Sequence, residues 1–152
     1  MKRSKLNRWL ADLRSGKYSQ ATEFLLSEDK TCGCCLGVYL DGSGLPPVKT
    51  DLFRNGDEDI SGWAWYDGDL RDGVPVYNGT CLPDKVAAED GWHSDVGTCE
   101  KDGMAGFETS KGLMICLTEA NDAGVPFTEI ADIVEANPLW FFNTIEEDVQ
   151  AH

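Results

Sequence analysis

The sequence predicts an α+β fold built as a single domain, residues 1–152, and three observations carry that prediction. An apolar 3.6-residue period runs through residues 4–15 and again through 112–136. Between them, Trp63-Ala64-Trp65 alternates with the period of a strand, which would put both indoles on one face. A chain of 152 residues fits one domain, and a domain of that size buries roughly two-thirds of its unfolded surface.

In order along the chain, residues 4–15 read as a helix with the stripe Leu6, Trp9, Leu10 and Leu13, Ser4 as candidate cap and Gly16 as stop. Tyr18–Leu26 reads as extended and Ser27–Thr31 as a polar turn. Cys34–Leu40 is apolar almost throughout, and it is too short for periodicity to separate a buried strand from a buried helical turn. Asp41–Pro47 is a loop by its Gly and Pro content. Residues 46–80 read as an irregular aromatic and glycine-rich segment in which Gly56, Gly62, Gly68, Gly73 and Gly79 separate Phe53, Trp63, Trp65, Tyr66 and Tyr77. Asp84–Glu89 reads as a short helix closed by Gly91, and glycine-rich 91–111 holds Trp92 and Phe107.

A helix pair follows. Leu113, Cys116, Leu117 and Ala120 share one helical face over 112–123, and Gly124 supplies the positive φ that commonly ends a helix. Thr128 is the expected N-cap of the second helix, 128–136, with Glu129 in its first turn and the stripe Phe127, Ile130, Ala131, Val134. Asn137 precedes Pro138 and so leaves the helical region. Leu139–Val149 reads as an acidic tail, helical in part, anchored by Trp140, Phe141 and Phe142. The assembled expectation is a small sheet from 18–40 and 63–80 with helices 4–15, 84–89, 112–123 and 128–136 packed on it.

The formal net charge of −14 argues against nucleic-acid binding, which relies on basic side chains to neutralise phosphates. Lys2, Arg3, Lys5, Arg8 and Arg14 crowd the first helix, whereas acids dominate from Asp51 onward. Such a helix on an acidic body serves as a solvated face, an anion site or a homo-oligomer contact. No stretch approaches the roughly 20 apolar residues of a membrane helix, and no apolar segment follows the basic first residues as in a secretory signal.

The six cysteines are read as reduced and metal-free, with Cys35 and Cys116 as small core hydrophobes. The competing zinc set would be Cys32, Cys34, Cys81 and Cys99, with His93 as a substitute, but Cys32-x-Cys34-Cys35 lacks zinc-ribbon spacing. Asp57–Gly62 matches the first half of a calcium loop. The closing acid would fall at Gly68, so the register fails and a solvated acidic turn is the better reading.

Four segments, in this order, carry a resemblance: Ser15–Ala21 after the first helix, Cys34-Cys35-Leu36-Gly37-Val38, Leu82-Pro83-Asp84-Lys85-Val86, and Asn121-Asp122 with Gly124 and Phe127–Asp132. Together they resemble a family of small, uncharacterised bacteriophage and prophage proteins. The resemblance covers about half the chain and leaves out 45–80; Cys32, and Tyr39-Leu40-Asp41, depart from the pattern. It implies a phage origin and work in the host bacterial cytoplasm, and it implies no activity.

No catalytic constellation stands out: His93 and His152 are the histidines, and no phosphate-cradling loop or cofactor motif is present. The helix–turn–helix spacing of 113–136 would present Glu129, Asp132 and Glu135 to DNA, the wrong chemistry for phosphate. The sequence therefore predicts a non-enzymatic binding protein without cofactor or metal. Its leading form is a counter-defence protein that sequesters a host nucleotide signal. Trp63, Trp65 and Tyr66 would stack on the base, Arg54 and Arg71 would pair with phosphate, and Asn121 and Asp122 would close over a ribose. The alternative is a virion or interaction component that engages a basic protein through an acidic surface. A pocket with two aromatics and an arginine would favour the first; an apolar patch beside an acidic face would favour the second.

Overall fold

The computed structural model describes residues 1–55, 58–101 and 106–148, the side chains of 51–60 excepted. Helix α1 (Arg3–Arg14) forms where the apolar period predicts it and buries Leu6, Trp9, Leu10 and Leu13. Ser4 is not its cap. The flanking residue is Lys2, without a side-chain cap bond, and the first turn is satisfied by the far end of the chain. Arg3 N–H donates to the Glu146 carbonyl at 2.8 Å, and Ser4 N–H donates to the Asp148 carboxylate at 3.3 Å.

Three two-residue strands follow: β1 (Ser19–Gln20), β2 (Leu26–Ser27) and β3 (Cys32–Gly33). The apolar run after them is a helix, α2 (Cys35–Asp41), and not part of the sheet. Every residue from Cys35 to Leu40 is buried, so no polar face existed to reveal the period. Gly37 lets α2 seat directly on the β2 approach: a Cβ there would lie 1.6 Å from the Leu25 carbonyl oxygen.

The middle of the chain is regular, contrary to the expectation for 46–80. Strands β4 (Pro47–Asn55), β5 (Glu58–Arg71) and β6 (Val74–Asn78) form an antiparallel meander. The sheet order is β1-β3-β2-β5-β4, with β6 also paired to β5 and β1 parallel to β3. Helix α3 (Asp84–Asp90) matches its prediction, including Gly91 as left-handed stop.

A hairpin, β7 (Phe107–Thr109) and β8 (Gly112–Met114), takes the first residues assigned to the 112–123 helix. Leu113 lies exposed on β8, so its match to the helical stripe is coincidental; α4 spans only Leu117–Asp122. Helix α5 (Phe127–Ala136) starts after Pro126 with no side-chain cap from Thr128. The Pro126 carbonyl accepts the first helical hydrogen bond, from Ile130 N–H at 3.0 Å. A 3₁₀ turn, Pro138–Trp140, leads into the tail, whose described residues are not otherwise helical; of its expected anchors Phe141 and Phe142 are fully buried and Trp140 is half-buried. The architecture is α+β.

Trp9 is the centre of the core. It packs edge-on to Tyr39, Trp92 and Phe142 at centroid separations of 5.8, 5.3 and 6.5 Å, and its indole N–H donates to the Cys35 carbonyl at 2.8 Å. Such T-shaped pairs each add roughly 0.5–1.5 kcal/mol beyond buried area. No described helix is long and apolar enough to cross a membrane.

Candidate functional site

Among the described residues, those expected to form a nucleotide site are not brought together. Trp65 is only 2% exposed, too little open surface for a base to stack across its ring, and its indole N–H donates to the Leu45 carbonyl at 3.2 Å. Trp63 is half-buried; its N–H donates to the Glu28 carbonyl at 2.9 Å, and the Lys30 ammonium sits 5.0 Å from its ring centroid. Tyr66 and Arg71 are exposed. The side chains of Arg54 and of 57–60 lie outside the described residues; the backbone of 58–62, expected as an acidic turn, runs instead within strand β5.

Asn121 is a structural clamp and not a ribose ligand. It is fully buried. Its Oδ1 accepts from Cys35 N–H and from Gln20 Nε2, both at 3.1 Å, and its Nδ2 donates to the Ala21 carbonyl at 2.8 Å. These bonds fasten α4 to α2 and β1. Asp122, next to it, is exposed and lines a different cleft from Tyr66.

The feature the sequence reading missed is the β5–β6 hairpin. Asp72 and Gly73 both take positive φ, 52° and 80°, and form a two-residue connection between paired Arg71 and Val74. Asp-Gly is a strong hairpin signal because both residues tolerate that conformation. The register places Tyr66 opposite Tyr77 and Leu70 opposite Pro75. Cross-strand partners share a face, and so do residues two apart on β6. Tyr66, Tyr77, Leu70 and Pro75 thus form one apolar face. All four are exposed, Leu70 at 63%. The two tyrosine rings lie 6.0 Å apart.

Beside that face is a shallow cleft of about 170 Å³, lined by Leu45, Pro46, Trp65, Tyr66, Val86, Lys85 and Glu89. Ligand pockets are usually roughly 300–1,000 Å³, so this one fits a single side chain better than a nucleotide. It offers two aromatics and a lysine, and no arginine.

The same corner is crowded with carboxylates. Asp67, Asp69 and Asp84 bring carboxylate oxygens within 4.8 Å of one another. Asp84 is held above the usual carboxylate range, chiefly by the charge of Asp67 and then by desolvation, Asp95 and Asp69. Among the described residues this is the His/Cys/Asp/Glu group close enough to share a metal ion, and all-oxygen sets suit calcium or magnesium. The cysteines form no such group among those residues; all six are free thiols, and burial raises the pKa of Cys34 to about 11.

A second cleft, of about 210 Å³, is lined by Glu23, Phe24, Cys34, Thr80, Cys81, Val96, Thr118 and Asp122. His93 stands apart from both clefts, its ring nitrogens 2.9 Å from the Asn143 side-chain oxygen and 3.1 Å from the Leu139 carbonyl.

Residues 1–138 match the model of a family described as a domain of unknown function, DUF8296. No curated protein and no solved structure matches the chain.

Proposed function

This chain belongs to the DUF8296 family, and from that premise we propose that it acts by binding, without catalysis, and that its working surface is the β5–β6 hairpin with α3. The occupant is a basic protein segment carrying one apolar or aromatic anchor. The carrying observation is the exposed face of Tyr66, Leu70, Pro75 and Tyr77 set beside Asp67, Asp69, Asp72, Asp84 and Glu89. Contiguous exposed apolar surface with a polar rim is characteristic of interaction sites. The carboxylates fix the sign of the partner, and the small cleft at Trp65 and Val86 accepts its anchor side chain. Pro75 lies on β6, at the side of the sheet, and prolines there discourage strand addition, so side chains rather than main-chain ladders supply the contacts.

The nucleotide-sequestering reading draws less support, because Trp65 and Asn121 are already engaged and the clefts that Trp65, Tyr66 and Asp122 line are smaller than a nucleotide needs. A phage accessory role in the host bacterial cytoplasm belongs to the same proposal and rests on the motif resemblance.

The test is a selection of random peptides on the immobilised protein, followed by affinity measurement at increasing salt. Bound sequences should be enriched in Lys or Arg near an aromatic or aliphatic residue, and should weaken with salt, as exposed charge pairs do. Tyr66→Ser with Leu70→Ser should weaken them at least tenfold while the melting temperature stays unchanged. Peptides without basic enrichment, or a double variant that binds as the wild type does, would sink the proposal. Micromolar or tighter binding of a cyclic or ADP-ribose-type nucleotide in calorimetry would restore the sequestering reading.

A further inference from the structure

We propose that the second cleft, walled by the β1–β2 connection, the start of α2, the segment 80–82 and α4, is a binding site for a small primary amine held as its ammonium ion. It is separate from the hairpin surface and does not rest on it. Its lining carries two carboxylates, Glu23 and Asp122, and no lysine, arginine or histidine. The thiols of Cys34 and Cys81 also line it, and burial raises the pKa of both, so they stay protonated at neutral pH and add no charge. The fixed charge facing the cleft is therefore anionic, which selects a cation.

The rest of the lining fixes the kind of cation. Phe24, Val96 and the Cys34 side chain give an apolar wall for a short alkyl chain, and the Thr80 and Thr118 hydroxyls offer acceptors to ammonium protons. At roughly 30 Å³ per water molecule, a cleft of about 210 Å³ has room for an amine of about five to seven heavy atoms.

The walls are held before any ligand arrives. Asn121 ties α4 to Cys35 N–H and the Ala21 carbonyl, and Gln20 Nε2 reaches both Asn121 and the Val125 carbonyl. The Asn78 side chain accepts from Cys81 N–H at 2.9 Å, and Leu25 N–H donates to Gly79 at 2.8 Å. Glu23 is one of the few non-glycine residues with positive φ, 72°. Side chains rarely adopt that backbone conformation, and it persists where surroundings over-determine it. Cys34 and Asp122 thus line a small anionic cavity that Gln20 and Asn121 brace from behind and that the hairpin surface does not use.

The experiment is an amide and side-chain NMR titration of the full chain with n-butylamine hydrochloride, 1-butanol as neutral isostere and sodium butyrate as anionic one. Saturable shifts at Cys34, Cys81 and Thr118 are expected with the amine, with butanol at least tenfold weaker and butyrate silent. Glu23→Gln and Asp122→Asn, both exposed positions, should each weaken the amine without lowering the melting temperature, and together by at least tenfold. Equal affinity for amine and alcohol, no saturable shift at those three residues, or folded variants that bind the amine as the wild type does would overturn the site. The comparison among isosteres needs no variant, so a misfolded variant leaves the proposal decidable.

Discussion

Helix α1 concentrates cations, the corner formed by the β5–β6 hairpin and α3 concentrates carboxylates, and the two meet their charges differently. On α1, Arg14 pairs with Asp132 at 2.6 Å and Glu135 at 2.8 Å, Lys5 with Asp90 at 2.8 Å, and Arg3 with Glu147 at 3.2 Å. Arg8 donates to the Tyr39 carbonyl at 2.9 Å and to that of Gly42. At the hairpin, among the described residues, Asp67, Asp69, Asp72 and Asp84 form no ion pair, although Lys85 and Arg71 are close in sequence. The pKa directions record the contrast. Arg14 is raised chiefly by its hydrogen bond to Glu135, the sign of a satisfied cation, whereas Asp84 is raised chiefly by like charge on Asp67. A charge already matched within the chain has little left to offer a partner. This argues against the basic helix as a self-association device and for the acidic corner as the working surface.

The largest test of that contrast concerns load. Trp9→Ala on α1 should destabilise the protein by about 3–5 kcal/mol, because the ring is fully buried against Tyr39, Trp92 and Phe142 and its N–H is bonded. Urea melts would show it as a large fall in midpoint. A midpoint within noise would mean that α1 is no more structural than the hairpin face, and the comparison would fail.

A smaller perturbation makes one corner imitate the other. Arg14→Glu places a third carboxylate beside Asp132 and Glu135 and removes two ion pairs. Exposed pairs are individually weak, so a loss of roughly 0.5–1.5 kcal/mol is expected, shrinking as salt rises. A variant as stable as the wild type at low salt would show that the α1 pairs are geometrically present but energetically idle.

How much of this was legible in the sequence depended on whether a segment shows two faces. Helices α1 and α5 each have a solvated side, and the apolar spacing revealed them to within a residue or two; α3 was legible from the residues that bound it, Pro83 before and Gly91 after. Helix α2 is buried all round, so its pattern carried no period. At residues 112–120 the apolar spacing fitted a helix by accident, because Leu113 is an exposed strand residue. The meander was obscured by its glycines, which read as irregularity; Asp72-Gly73 was the signal that would have exposed the hairpin. Of the expected site residues, Tyr66 and Arg71 do lie on the exposed hairpin. Trp65 and Asn121 did not fit, since aromatic and amide side chains look the same in sequence whether they meet a ligand or a backbone carbonyl.

The smallest expected effect is the most direct probe of the unmatched corner. Asp84 is exposed, so its raised pKa reports like-charge crowding, chiefly from Asp67, more than burial. A carboxyl whose folded pKa is raised is penalised at pH values above that pKa, and the penalty is relieved as pH falls through it. This group therefore favours the folded state on mild acidification, opposite to Asp148, whose pKa is lowered chiefly by its hydrogen bonding to Ser4 and whose contribution is lost on acidification. Removing the neighbouring charge with Asp67→Asn should return Asp84 toward the ordinary carboxylate range. A bound basic peptide should do the same without any mutation, because a cation stabilises the ionised form. Carboxyl-carbon NMR titration of Asp84 in the wild type, in Asp67→Asn and in the peptide complex measures all three. If the peptide lowers the Asp84 pKa in the wild type, the cation sits at this corner. If Asp67→Asn lowers it and the peptide does not, the crowding is real but the partner binds elsewhere, and the hairpin loses its claim to be the working surface.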